Sequence, residues 1–239
     1  MLKNFKYFFK KNKYKLFSDK RIALIKLDGI IIDSVNLPVV SKITESFDMV
    51  KKLGIKTVVL RINSPGGTVG ASQEIYNAIL RLKNDNIKVV ISLGDVAASG
   101  GIYIAVAGDK IVSNPGTVTG SIGVIIKTRV IKELYGKIGI DHEIIKSGQF
   151  KDILSDTKYL SDEDKAILQN MVDDTYKQFV ETIAQNRNID VETVKSFADG
   201  RIFTGLQAKE YGLIDEIGSQ ADAIDQLQNL QKSKVSLLL

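Results

Sequence analysis

Beyond residue 20, apolar and polar positions alternate in a way that divides the chain into short strand-like and helix-like segments. RIALIKLDGII (21–31) reads as a strand, and residues 39–53 run at helical period and end at Gly54. TVVLRI (57–62) is an apolar, β-branched run that stops at Asn63-Ser64-Pro65-Gly66-Gly67, a strong turn signal. Residues 69–83 place Ile75, Ile79 and Leu82 on one helical face, and KVVISLG (88–94) is again strand-like. Val89–Gly108 carries only one charge, Asp95, so hydropathy peaks there. Its glycines at 94, 100, 101 and 108, and a change of apolar period partway, predict two buried elements joined by a turn, not a membrane span. Asp109 and Lys110 close that run as a solvated boundary.

KIVSN (110–114), SIGVII (121–126) and HEIIKSG (142–148) are further strand candidates. From Ser161 the pattern becomes helical. Ser161 with Asp164 three residues on forms a capping-box signature ahead of a long amphipathic helix to Arg187. DVETVKSFA is a second helix, and GRIFTGLQAKEYGLIDEIGS reads as turn, helix and strand. Strands alternating with helices predict an α/β fold with largely parallel strands. The expected organisation is a tail over residues 1–20, one domain over 21–230 and a terminal segment over 231–239.

Composition changes this picture at the N-terminus. The 239 residues carry a net charge of +5, but the first twenty hold seven Lys and one Asp, so the body is close to neutral. A neutral body argues against nucleic-acid binding, which needs a basic face across the fold. A basic, aromatic tail points to an anionic membrane surface. If helical, the tail sets Leu2, Phe5, Phe9 and Leu16 on one side, with Lys3, Lys6, Lys10 and Lys13 one step round. Lysines interrupt it too often for a signal peptide or a transmembrane helix. The expected location is peripheral, on the cytoplasmic face of a membrane.

Two absences narrow the chemistry. Without Cys there is no disulfide framework, thiolate nucleophile or Cys-ligated metal. With His142 as the single histidine, a two-His metal site is excluded. No metal or cofactor is expected, and no P-loop is visible because no Gly-Lys-[Ser/Thr] closes a glycine-rich segment.

Three glycine-rich segments could carry chemistry. The Gly66-Gly67 turn can present bare N–H groups to an anion or to a developing oxyanion. Its bland alternative is a plain strand-to-helix turn. Asp95-Val96-Ala97-Ala98-Ser99-Gly100-Gly101 has the mechanical logic of a nucleophile elbow, with the Gly100 N–H beside Ser99. Its alternative is that Ser99 only caps the next helix. The third is Gly120-Ser121-Ile122-Gly123, followed by Ser147-Gly148-Gln149-Phe150-Lys151-Asp152, where Lys151 alone is an ordinary surface charge.

Taken in order, LRINSPGGTVGAS (60–72), VAASGGIYIAVAGDKIVSNPGTVTGSIGV (96–124), KSGQFKD (146–152) and GRIFTGLQAKEYGLIDEIG (200–218) resemble the signal peptide peptidase SppA (protease IV) family of serine proteases. The resemblance spans about residues 21–225. It implies the Clp protease/crotonase fold, a spiral of ββα units, and a serine endopeptidase acting on hydrophobic peptides such as cleaved signal peptides. It implies Ser99 as nucleophile, Lys151 as general base and Ser121 as the residue orienting the Lys amine. The oxyanion hole falls to the backbone N–H groups of Gly66, Gly67 and Gly100. Short family members form dome-like homo-oligomeric rings, octamers, with Ser and Lys from neighbouring protomers. Many members carry a transmembrane anchor where this chain has its basic tail.

The chemistry is consistent with that assignment. A Ser hydroxyl needs a base to attack a carbonyl, and a Lys serves only when neutral. Its amine must titrate far below the free value of about 10.4, which desolvation achieves. Three other readings differ in their needs. A Clp-type peptidase uses a His after the nucleophile, where this chain has TGSIGVII; His142 comes later. A crotonase-type acyl-CoA enzyme needs neither Ser99 nor Lys151. A non-catalytic membrane scaffold needs no intact pair. Asp95 reads as a turn former, and the role of Asp152, adjacent to the expected base, stays open.

Overall fold

A computed structural model describes residues 21–235. The expected N-terminal tail, residues 1–20, lies outside the described residues, as do the last four residues of the 231–239 segment. The elements run β1 (Ala23–Asp28), α1 (Val39–Lys52), β2 (Thr57–Ser64), α2 (Val69–Asn84), β3 (Lys88–Ala98), α3 (Gly100–Ala105), β4 (Lys110–Ser113) and β5 (Val118–Gly120). There follow α4 (Lys132–Lys137), α5 (Asp162–Arg187), α6 (Val191–Phe197), β6 (Ile202–Thr204), α7 (Gly205–Glu210), β7 (Glu216–Ile217) and α8 (Gln220–Val235). The fold class is α/β, as the alternation of strands and helices predicts.

The strands form one seven-stranded sheet in the order β1-β2-β3-β4-β7, with β5 beside β3 and β6 beside β5. Every pairing is parallel except β5–β6. A parallel strand covered on both faces is apolar throughout, and Val58, Val59, Leu60 and Ile62 of β2 are all fully buried. α1 buries Ile43, Ser46, Phe47 and Val50, and α2 buries Ile75, Ala78, Ile79 and Leu82. That spacing is the single helical stripe that covers a sheet.

β3 serves two neighbours in succession. Val90–Leu93 pair with Lys110–Ser113 of β4, and Val96–Ala98 pair with Val118–Gly120 of β5. Near the changeover the β2–β3 register shifts between Ile62 and Ser64. Asn63 Oδ1 accepts the Val96 N–H at 3.1 Å there, and its side chain lies where a Cβ on residue 94 would sit, 2.8 Å away. Gly94 leaves that space. The result is a β3 longer than the sequence pattern predicts, so the turn shrinks to the single residue Ser99.

The described residues fall into two units: residues up to Ile122 together with those from Phe179 onward, and Gly123–Gln178. The first holds the whole sheet. The second holds α4 and most of α5, and none of its apolar side chains is buried. Two expected strands are absent. SIGVII does not form because the strand stops at Gly120 (φ +80°) and Ser121 (φ +51°), consecutive left-handed residues that leave the ladder. HEIIKSG has apolar alternation but no neighbouring strand in its unit, and residues 142–148 are exposed. The Ser161/Asp164 capping box forms as expected: each backbone N–H is bound by the other side chain at 3.0 Å. Asp109 is not a solvated boundary. It accepts the Val89 N–H at 2.8 Å and pairs with Lys88.

Candidate active site

Parallel strands end at a common carboxyl edge, and loops leaving that edge meet. β2 ends at Ser64 and β3 at Ala98, with Ser64 opposite Ala97. The Pro65-Gly66-Gly67 turn therefore lies against Ser99 and Gly100. A Cβ on Gly66, whose φ is +103°, would sit 2.8 Å from both the Gly100 nitrogen and the Ser99 Cβ. A Cβ on Gly100 would lie 2.3 Å from Ser72 Oγ and 3.3 Å from the Gly67 nitrogen. The glycines are what allow three backbone segments to close on one point.

Ser99 has φ +52° and ψ −120°, the conformation of the first central residue of a type II′ turn, which glycine dominates. A non-glycine residue there carries strain of about 1–3 kcal/mol. Its N–H donates to Gly120 O at 2.8 Å, continuing the β3–β5 ladder, and its C=O accepts from Tyr103 in α3 at 3.0 Å. The side chain makes no capping hydrogen bond to α3, although Ser99 is its N-cap residue. The cap alternative is thereby removed, and the hydroxyl is left available.

The amides around Ser99 differ in their commitments. Gly66 N–H donates to Ser64 Oγ at 3.1 Å, so the expected use of this group in an oxyanion hole meets a competing partner. The Gly67 and Gly100 N–H groups enter no hydrogen bond among the described residues. Ser64 is fully buried, and Ile31 N–H fixes the Gly66 carbonyl at 2.9 Å. Ser64 was invisible as a site residue because its pattern reads only as part of a turn. A serine closing a buried strand just ahead of Pro-Gly-Gly was the one available signal.

Ser121 follows Gly120, which is paired in parallel with Ala98, so Ser121 and Ser99 are the residues that directly follow the last pair of the two strands. Its N–H donates to Arg201 O at 2.7 Å. Asp95 lies within β3 with its side chain exposed, not in a turn.

Lys151 belongs to the second unit, in a turn where its N–H donates to Gly148 O at 3.2 Å. It is exposed, and Nζ makes no ion pair or hydrogen bond among the described residues. Its neighbour Asp152 is not directed to it. Asp152 pairs with Lys146 at 2.7 Å and Lys158 at 3.2 Å. The Lys146 hydrogen bond first, then Lys158, holds this carboxyl below the usual aspartate range against the opposing effect of burial. Lys158 also binds Asp164 at 3.1 Å, and the Asp164 hydrogen bond is the main cause of its raised pKa. His142 is exposed and packs edge-on against Tyr135, ring centroids 4.5 Å apart. A hollow within this unit is lined by Val124, Ile126, Leu160, Leu168 and Val172.

The parallel sheet with a glycine turn closed on a strand-to-helix junction defines the chain as a Clp protease-like α/β protein. A Clp protease family model matches residues 16–117, and the model named Peptidase family S49 matches residues 81–234. A Synechocystis sp. protein named "Putative protease slr0021" is 46% identical over 88% of this chain and 74% of its own. The Enterococcus faecium "Putative signal peptide peptidase SppA" is 36% identical over 90% of this chain and 65% of its own. "Protease 4" of Salmonella typhi is 35% identical over 89% of this chain but only 35% of its own length. The chain belongs to peptidase family S49, the SppA family, and is a serine-type peptidase. Among the described residues, no helix is long and apolar enough to cross a membrane.

Proposed function

We propose that the chain is a Ser/Lys endopeptidase that hydrolyses hydrophobic peptides, such as cleaved signal peptides, at or near a membrane. The observation that carries the reading is the strained, uncapped Ser99 beside the amides of Gly67 and Gly100, which have no hydrogen-bond partner among the described residues. Ser99 Oγ attacks the scissile carbonyl while its proton passes to Lys151 Nζ. The developing oxyanion is received by Gly67 and Gly100 N–H, each such donor contributing about 2.7–4 kcal/mol to the transition state in comparable sites. Lys151 then gives the proton to the leaving amine, and water hydrolyses the acyl ester. Ser121 orients the Lys amine. The Gly66 amide supports the hole through Ser64 and is not a direct donor.

Lys151 is exposed in the single chain, and a lysine amine works as a base only where water is excluded from it. Assembly into a homo-oligomeric ring, an octamer, with Ser99 and Lys151 from neighbouring protomers supplies the missing desolvation. The second unit supports this. It buries no apolar side chain and exposes Ile125, Leu134, Ile138, Ile145 and Met171. Exposure on that scale marks an interaction surface. Residues 1–20 dock the ring on an anionic leaflet, on the cytoplasmic side.

The test is hydrolysis of a hydrophobic peptide by Ser99→Ala and Lys151→Ala, each expected to be inactive alone and to regain activity when mixed. Activity surviving in either single variant removes the dyad. Inactive mixtures of intact rings remove the shared site. Sedimentation with anionic vesicles that is unchanged by deleting residues 2–18 removes the membrane contact.

A further inference from the structure

The turn that carries Lys151 is tied to the start of α5 at two points. Lys146 Nζ donates to Gln149 O at 2.9 Å and pairs with Asp152 at 2.7 Å, closing residues 146–152 on themselves. Lys158 Nζ then bridges Asp152 at 3.2 Å and Asp164 at 3.1 Å. Asp164 is buried, its side chain 4% exposed, and it is the capping carboxylate of a 26-residue helix. It cannot shift without uncapping that helix. Gln149 Nε2 donates to Glu163 Oε2 at 2.6 Å, a second tie to the same helical turn. Lys151 thus lies between two anchored residues, Gln149 and Asp152.

We infer that Asp152 and Lys158 are positioning residues that hold the Lys151 turn against the first turn of α5. The inference rests on Lys151 being the general base. A carboxylate next to that base would ordinarily keep its amine protonated. Here two lysines compensate Asp152, so it fixes the turn without acting as the counter-ion of Lys151. A misplacement on the order of 1 Å at a reacting group can cost about a hundredfold in rate. The ties therefore act on the chemical step and leave peptide binding alone.

The test uses the full-length assembled protein and a hydrophobic peptide. Asp152→Asn and Lys158→Met are each expected to lower kcat about 10–100-fold with KM within about twofold. The double variant is expected to fall no further than the worse single one, because both remove the same tie. Asp152→Glu, which keeps the charge, should recover part of the loss. Tyr159→Phe, which removes an exposed hydrogen bond to Glu133 in the same unit, is the control for general loosening. If Asp152→Asn does not assemble, Gln149→Ala tests the second tie, with a kcat loss of about 3–10-fold expected. Wild-type kcat in these variants, or a loss confined to KM, overturns the inference while Lys151→Ala remains inactive. Activity in Lys151→Ala overturns the underlying dyad instead.

Discussion

Replacing Ser99 by glycine should make the protein more stable than replacing it by alanine, although both changes abolish hydrolysis. The native backbone at this residue has φ +52° and ψ −120°. Any residue with a Cβ carries strain there of about 1–3 kcal/mol. Alanine keeps that strain and loses only the hydroxyl, which caps nothing. Glycine relieves the strain but makes the unfolded chain more flexible, at about 0.5–1 kcal/mol. The difference, glycine over alanine, is about 0–2.5 kcal/mol. At about 2–4 °C per kcal/mol for a chain of this size, Ser99→Gly should melt up to about 10 °C above Ser99→Ala. The assay is thermal unfolding of Ser99→Gly and Ser99→Ala at one protomer concentration, since assembly makes Tm concentration-dependent. A serine-reactive fluorophosphonate should label wild type and neither variant. If Ser99→Gly melts below Ser99→Ala, the strain at the junction is not a real cost of the folded state and the reasoning fails.

Gly100→Ala should destabilise by about 1–3 kcal/mol, because its Cβ would lie 2.3 Å from Ser72 Oγ; adding Ser72→Ala, which removes that oxygen and keeps α2 free of a further glycine, should recover most of that loss in denaturant titration. Asp164 is held below the usual carboxylate range, first by the Ser161 N–H, so it stabilises the fold above its unfolded pKa and that contribution fades as pH falls through its folded value. Stability measured from pH 6 down to about 2.5 should therefore fall less steeply in Asp164→Asn than in wild type. Peptide hydrolysis should rise with pH along one apparent pKa well below that of free lysine, about 10.4, and His142→Ala should leave that profile unchanged. A profile that follows imidazole, near pH 6.5, would remove the lysine base.

Much of the scaffold was legible in local pattern. β1, β2, α1 and α2 fall where apolar periodicity puts them, and the Ser161/Asp164 cap forms from its own spacing. Periodicity failed where a strand candidate had no partner to pair with. HEIIKSG alternates correctly but has no neighbouring edge, and SIGVII is cut off by two consecutive left-handed residues. Strand pairing is a long-range property, and a single segment does not encode whether another edge will be beside it.

The sequence alone determined the α/β class, the family, the candidate residues Ser99 and Lys151, and the placement of excess charge in the first twenty residues. Only the tertiary structure decided how those residues stand. It set Ser99 in a strained turn with its hydroxyl uncommitted, bound the Gly66 amide to Ser64, and turned Asp152 toward Lys146 and Lys158. The physical reason is that a hydrogen bond or ion pair forms only where the backbone path brings two groups within about 3 Å, and that path is set by the fold even between residues two to six apart. Residue type limits what a side chain can do; at Ser99 and Gly66, the packing of β2, β3 and β5 at one edge decides which of those possibilities is used.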